Sequence, residues 1–141
     1  MAFKIIVDAN FLLDLILKRS SDQSDLSKIY QKIIDNTFTG FTTTSVIQIV
    51  GYWTAKAINV NTAKFVLLNT LNDLKIIDAP HAVVEHALHS DINDIEDALQ
   101  YYTAAHHKLD VFITKDKDFI KAAKPFLPIM HPKDFIKQYL T

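Results

Sequence analysis

Phe3-Lys4-Ile5-Ile6-Val7-Asp8-Ala9-Asn10 is the stretch on which the reading of the whole chain turns. Its first five residues are almost wholly apolar with a β-branched centre, as expected of a strand covered on both faces, and parallel strands are of that kind. Asp8-Ala9-Asn10 ends the run. Phe11, Leu12, Leu15 and Ile16 then recur at helical spacing, and the segment closes on Lys18-Arg19-Ser20, whose cations suit a helix C-terminus. The opening unit is strand, then helix, with a carboxylate at the junction.

Working outward, the same alternation continues. Ser24 can cap a helix carrying Leu26, Ile29, Tyr30, Ile33 and Ile34 to about Asn36, and Phe38 to Phe41 follows as a strand. Thr42-Thr43-Thr44-Ser45 supplies caps for a helix through Val46, Ile49, Val50 and Trp53, and Asn61-Thr62 opens the next through Phe65, Leu68 and Leu71. Leu74 to Ile77 reads as a strand, and Pro80 suits the first turn of a helix to about Leu88. A helix from Asn93-Asp94 to His107, a strand Val111 to Thr114, a short helix from Asp116, a strand Leu127 to Met130 and a helix Pro132 to Leu140 complete the chain. Strands alternating with helices imply an α/β fold, a mostly parallel sheet with helices on both faces.

Composition bounds the rest. With 141 residues and 49% hydrophobic content, residues 1–141 are expected to form a single domain. Two glycines and four prolines leave little material for long loops. The absence of cysteine excludes disulfides, thiolate ligands and a cysteine nucleophile, and it suits a cytoplasmic setting. The apolar amino terminus is interrupted by Lys4, Asp8 and Asp14, so it reads as neither signal peptide nor membrane span. A formal net charge of -1 gives no global basic field, and any contact with nucleic acid must come from a local patch.

Function is sought beyond the carboxyl ends of the strands, where open α/β sheets place their crevice. Asp8 follows the first strand, and Asp116 follows Thr114-Lys115 after a late one. Asp94 and Asp97, spaced i, i+3, share a face of a helix at its N-terminal turn. Carboxylates brought together repel by several kcal/mol at low effective dielectric unless a cation neutralises them, and oxygen donors without sulfur point to Mg2+ or Mn2+. Each acid also has a purely structural reading. Asp8 can begin a turn, Asp94 and Asp97 fit a helix N-cap and its third-position partner, and Asp116 can cap the helix after it. Asp118 and Glu96 read as solvated. The pairs His86/His89 and His106/His107 lack a third ligand for zinc, and Tyr52, Trp53, Tyr101 and Tyr102 read as core aromatics.

Ile5-Ile6-Val7-Asp8-Ala9-Asn10, Asp94-Ile95-Glu96-Asp97-Ala98-Leu99-Gln100 and Ile113-Thr114-Lys115-Asp116-Lys117-Asp118-Phe119 resemble, in order, the three acidic motifs of PIN domains, including VapC-type toxins. The match runs over nearly the whole chain. It implies a three-layer α/β/α sandwich and a metal-dependent endoribonuclease, the toxin of a toxin–antitoxin pair. Asp8, Asp97 and Asp116 would be the catalytic, metal-binding carboxylates, with Asp94 a further ligand and Asn10, Thr114, Gln48 and Asp118 in support. Lys115, Lys117, Lys18 and Arg19 would form a basic rim for the RNA backbone. The resemblance also implies a homodimer and an inhibitory antitoxin protein.

One position departs from the family pattern. Gln48 stands where the family usually carries a Glu, which removes a negative charge and a potential general base. Two rival readings follow. One is a PIN-like domain without catalysis that binds RNA or protein. The other is a phosphotransfer domain with Asp8 as nucleophile, similar to haloacid-dehalogenase-like enzymes, although Asn10 stands where those carry a second Asp.

Overall fold

The computed structural model describes residues 3–140; Met1, Ala2 and Thr141, at the ends of the expected domain, lie outside the described residues. The chain runs β1 (Phe3–Val7), α1 (Ala9–Leu17), α2 (Gln23–Ile34), β2 (Phe38–Thr42), α3 (Thr44–Ala57), α4 (Val60–Asp73) and β3 (Leu74–Ile76). It continues through α5 (His81–Leu88), α6 (Ile95–His106), β4 (Val111–Ile113), α7 (Lys117–Lys121), β5 (Ile129–Met130) and α8 (Pro132–Tyr139). The five strands form one sheet in the order β3-β2-β1-β4-β5, and every pair is parallel.

Alternation along the strands builds two cores. Ile5 and Val7 of β1, with Val111 and Ile113 of β4, pack with Leu12, Leu26, Ile29 and Phe135 from α1, α2 and α8. Ile6 and Phe112 face the other way, against Tyr101 and Ala104 of α6, Ala87 of α5 and Phe119 of α7. The result is the expected three-layer α/β/α sandwich. Gly40 in β2 is required by close packing, because a Cβ there would lie 2.6 Å from Leu74 Cδ2 and 2.8 Å from Ile33 Cγ2. No described helix is long and apolar enough to cross a membrane.

This topology fixes where a site can form. The chain leaves β1 toward β2 on one side and returns to β4 on the other, so the strand order reverses at β1 and a crevice opens beyond its carboxyl end.

Several local expectations are corrected. Gln23, not Ser24, begins α2; Asp22 at the cap position makes no capping bond, because its carboxylate meets Ser20 and Lys115 instead. Asn59 rather than Asn61 caps α4, accepting from the Thr62 N–H at 2.8 Å. Pro80 sits at the cap position of α5, outside its first turn. Tyr52 and Trp53 are 57% and 49% exposed, since α3 buries Val46, Val50 and Thr54 and turns both rings outward. Tyr101, by contrast, is fully buried, and its hydroxyl donates to the Leu127 carbonyl at 2.6 Å.

Candidate metal centre

The structural readings of the acidic residues are correct, and they are what bring the carboxylates together. Asp8 caps α1: its Oδ1 accepts from the Phe11 N–H at 2.9 Å. Asp94 caps α6, accepting from the Asp97 N–H at 2.9 Å. Asp116 caps α7, accepting from the N–H groups of Asp118 and Phe119 at 3.0 and 3.2 Å. Each cap ties a helix start to the carboxyl edge of the sheet and leaves oxygen lone pairs unspent.

Thr114 fastens two of these caps to each other. Its hydroxyl donates to Asp8 Oδ2 at 2.6 Å and accepts from the Asp116 N–H at 3.2 Å. Both Asp8 and Thr114 are buried, so the end of β1 and the loop after β4 are locked in one arrangement.

Asp8, Asp94, Asp97 and Asp116 line one open cleft of about 410 Å³, with Asn10 at its edge. Asp97 registers the crowding. Burial, followed by the charges of Asp94, Asp8, Asp116 and Glu96, pushes its carboxyl from 3.8 up to about 7. Asp8 is also raised, chiefly by burial, with the Thr114 and Phe11 hydrogen bonds pulling the other way. Glu96 is exposed, in keeping with its solvated reading, and it also lines the open cleft, where partial desolvation and then the charge of Asp94 raise its carboxyl against the Gln100 hydrogen bond.

The residues that could hold a hard cation are therefore Asp8, Asp97, Asp116 and Asp94. The donors are oxygen only, the kind that divalent magnesium or manganese prefers. Among the described residues no three carboxylate or imidazole groups are drawn tightly enough together to form a ready-made cage. The donor set fits in kind.

The basic rim differs from its sequence reading. Lys115 Nζ lies 2.6 Å from Asp14 and 3.3 Å from Asp22, and it also donates to Ser20. Burial pulls its pKa down, but the hydrogen bond and charge of Asp14, with Asp22, outweigh that and raise it. Lys115 is a structural cation that ties the loop before Asp116 to the α1–α2 turn. Arg19 is held by Asp14 at 3.0 Å and by Asn10 at 3.4 Å, and it lines the cleft together with Lys115, with its side chain 42% exposed. Lys18, in a left-handed conformation at the end of α1, and Lys117 at the start of α7 are exposed and lie outside the cleft lining.

Gln48 also stands apart, exposed on α3 and lining a neighbouring groove, while Asp118 lines a depression that shares Asp94, Asp97 and Asp116. Sequence reading missed the role of Asp14, which is buried and anchors Arg19 and Lys115. Its signal was present: a charged residue inside Leu12-Leu13-Asp14-Leu15-Ile16 demands a partner. His86 packs on Tyr102 and His107 contacts the Asp78 carbonyl, which accounts for those two histidines without zinc.

Comparison with known proteins adds family and fold. No curated protein matches the chain in sequence. Among solved structures, VapBC2 from Rickettsia felis, crystallised bound to a DNA fragment from its promoter, superposes with a TM-score of 0.69 at 16% identity, covering 92% of this chain and 98% of that one. PAE2754 from Pyrobaculum aerophilum superposes with a TM-score of 0.64 at 18% identity, covering 98% and 97%. The family model for the PIN domain matches residues 4–118, from within β1 to the start of α7, so it spans Asp8, Asp94, Asp97 and Asp116. The chain belongs to the PIN-domain family.

Proposed function

We propose that this protein is a divalent-metal-dependent endoribonuclease in which Asp8, Asp97 and Asp116 hold Mg2+ or Mn2+ and Asp94 adds a further oxygen. The observation that carries the reading is the crowding at Asp97, whose carboxyl is raised to about 7 by burial and by the charges of Asp94, Asp8, Asp116 and Glu96 together. A site that crowds acids in a sheet-edge cleft and stores repulsion is suited to a cation. When bound, such an ion supplies a water of lowered pKa and neutralises charge on a phosphate.

The protein's own part follows from its contacts. Thr114 and the Phe11 N–H hold Asp8 in one orientation. Arg19, steadied by Asp14 and Asn10, offers N–H donors to a phosphate oxygen at the edge of the cleft. Lys115 positions the Asp116 loop through Asp14 and Asp22 and also lines the cleft. Tyr52, Trp53, Phe65 and Leu68 on α3 and α4 are each about half exposed or more, and we assign this apolar surface to protein partners, a second copy of the chain or an antitoxin in a toxin–antitoxin pair. The lack of cysteine suits a cytoplasmic role.

Purified protein should cleave RNA when manganese is supplied and stop when a chelator is added, and Asp8→Asn or Asp97→Asn should abolish cleavage. Undiminished cleavage by both variants would remove the assignment. The neutral Gln48 favours one second reading, a PIN-like RNA- or protein-binding module without catalysis. In that case the native protein cleaves no RNA at any manganese concentration while still binding it.

A further inference from the structure

Beside the acidic cleft, past the carboxyl ends of β2 and β3, lies a second open groove of about 490 Å³. Helix α6 separates the two. Glu96 lines the cleft, Gln100 one turn later lines the groove, and Gln100 Nε2 donates to Glu96 Oε1 at 3.1 Å. One helical turn is about 5.4 Å, close enough for a phosphate on one side and its own base on the other.

The groove has a different chemistry from the cleft. Thr44, Ser45 and Gln48 present hydroxyls and an amide, Leu99 presents an apolar wall, and the lining contains no Lys or Arg. Its single carboxylate, Asp78, is occupied, accepting from the Thr44 hydroxyl at 3.0 Å and the Thr44 N–H at 3.4 Å. Neither a phosphate nor a free cation is favoured by such a surface. Its natural ligand is uncharged, has a flat apolar face, and carries hydrogen-bond donors and acceptors on its edge.

Gln100 adds a second observation. It is 1% exposed, one N–H of its amide donates to Glu96, and its Oε1 is buried without a hydrogen-bond partner among the described residues. An acceptor left in that state is destabilising, and an incoming N–H would relieve it. We infer that this groove seats a nucleobase of the RNA strand adjoining the phosphate at the acidic cleft, with Gln48 and Gln100 hydrogen-bonding to the base edge. The identity of the polymer rests on the ribonuclease reading. Gln48 is then a specificity-determining residue.

The test uses the full chain in a chelator, titrated separately with AMP, GMP, CMP and UMP while the side-chain amide signals of Gln48 and Gln100 are followed by nitrogen-15 NMR. Both amides should shift, to an extent that differs between bases, and ribose 5-phosphate should leave them unmoved. Gln48→Ala, a substitution at an exposed position, should weaken the preferred nucleotide about three- to tenfold. Amides that stay still with all four nucleotides, or that move equally with ribose 5-phosphate, overturn the inference. Manganese-dependent RNA cleavage together with unmoved amides removes the groove and keeps the nuclease. Base-dependent shifts in a protein that cleaves nothing keep the groove and remove the nuclease.

Discussion

Replacing Asp97 by Asn should make the metal-free protein more stable, and only at neutral and alkaline pH. In the folded chain the Asp97 carboxyl holds its proton to about 7, against 3.8 for the same group free in water. Between those values the folded state binds a proton that the unfolded state has released, so stability declines as pH rises from 3.8 to about 7 and is level above that. At roughly 1.4 kcal/mol for each pH unit, such a rise would amount to about 4 kcal/mol in a group sealed from water. Asp97 is only partly buried, and solvent screening reduces this to about 1–2 kcal/mol. Asn keeps the shape, and the cap bond at this position uses the Asp97 backbone N–H, which the substitution leaves in place. Thermal unfolding in a chelator at pH 8 should therefore show Asp97→Asn melting roughly 3–6 °C above the native protein, with the two converging near pH 4. Added manganese should reverse the order, raising the native protein and barely moving the variant. A variant no more stable than native at pH 8, or one whose advantage persists at pH 4, would refute the repulsion argument.

Two further outcomes follow from the same contacts. Thr114→Val removes the hydroxyl donor to buried Asp8 and should lower stability by about 2 kcal/mol in urea unfolding; an unchanged midpoint would mean that Asp8 does not depend on it. Lys115→Met and Asp14→Asn, combined in a double-mutant cycle, should show a coupling of about 1 kcal/mol, because each removes the 2.6 Å ion pair while Arg19 still faces Asp14 and Asp22 still faces Lys115. Simple additivity would show that the Lys115–Asp14 pair does not fasten the loop before Asp116 to α1.

Much of this is legible in the sequence because the relevant signals are local. A strand that ends on Asp8, and helices that begin at Asp94 and Asp116, place carboxylates at strand ends, and strand order does the rest. Capping and clustering of these acids stand as rival readings in the sequence; in the structure one causes the other. Facing is harder to read. Gln48, Tyr52 and Trp53 all lie at helical spacing, but the side of α3 that meets the sheet is decided by Val46, Val50 and Thr54, and spacing alone does not choose between faces. The Asp14–Lys115–Asp22 network is illegible because its members are separated by about a hundred residues or by a loop, and only the folded chain brings them within reach. Lys115 lines the cleft as its place beside Asp116 leads one to expect, but its ion pairs with Asp14 and Asp22 cannot be read from the sequence.

The central proposal is a divalent cation shared by Asp8, Asp97 and Asp116. A crystal soaked in manganese tests it directly through the anomalous signal of the metal. The expected result is a peak in the cleft within bonding distance of carboxylate oxygens from all three residues. A peak elsewhere, or none at a saturating manganese concentration, would contradict it.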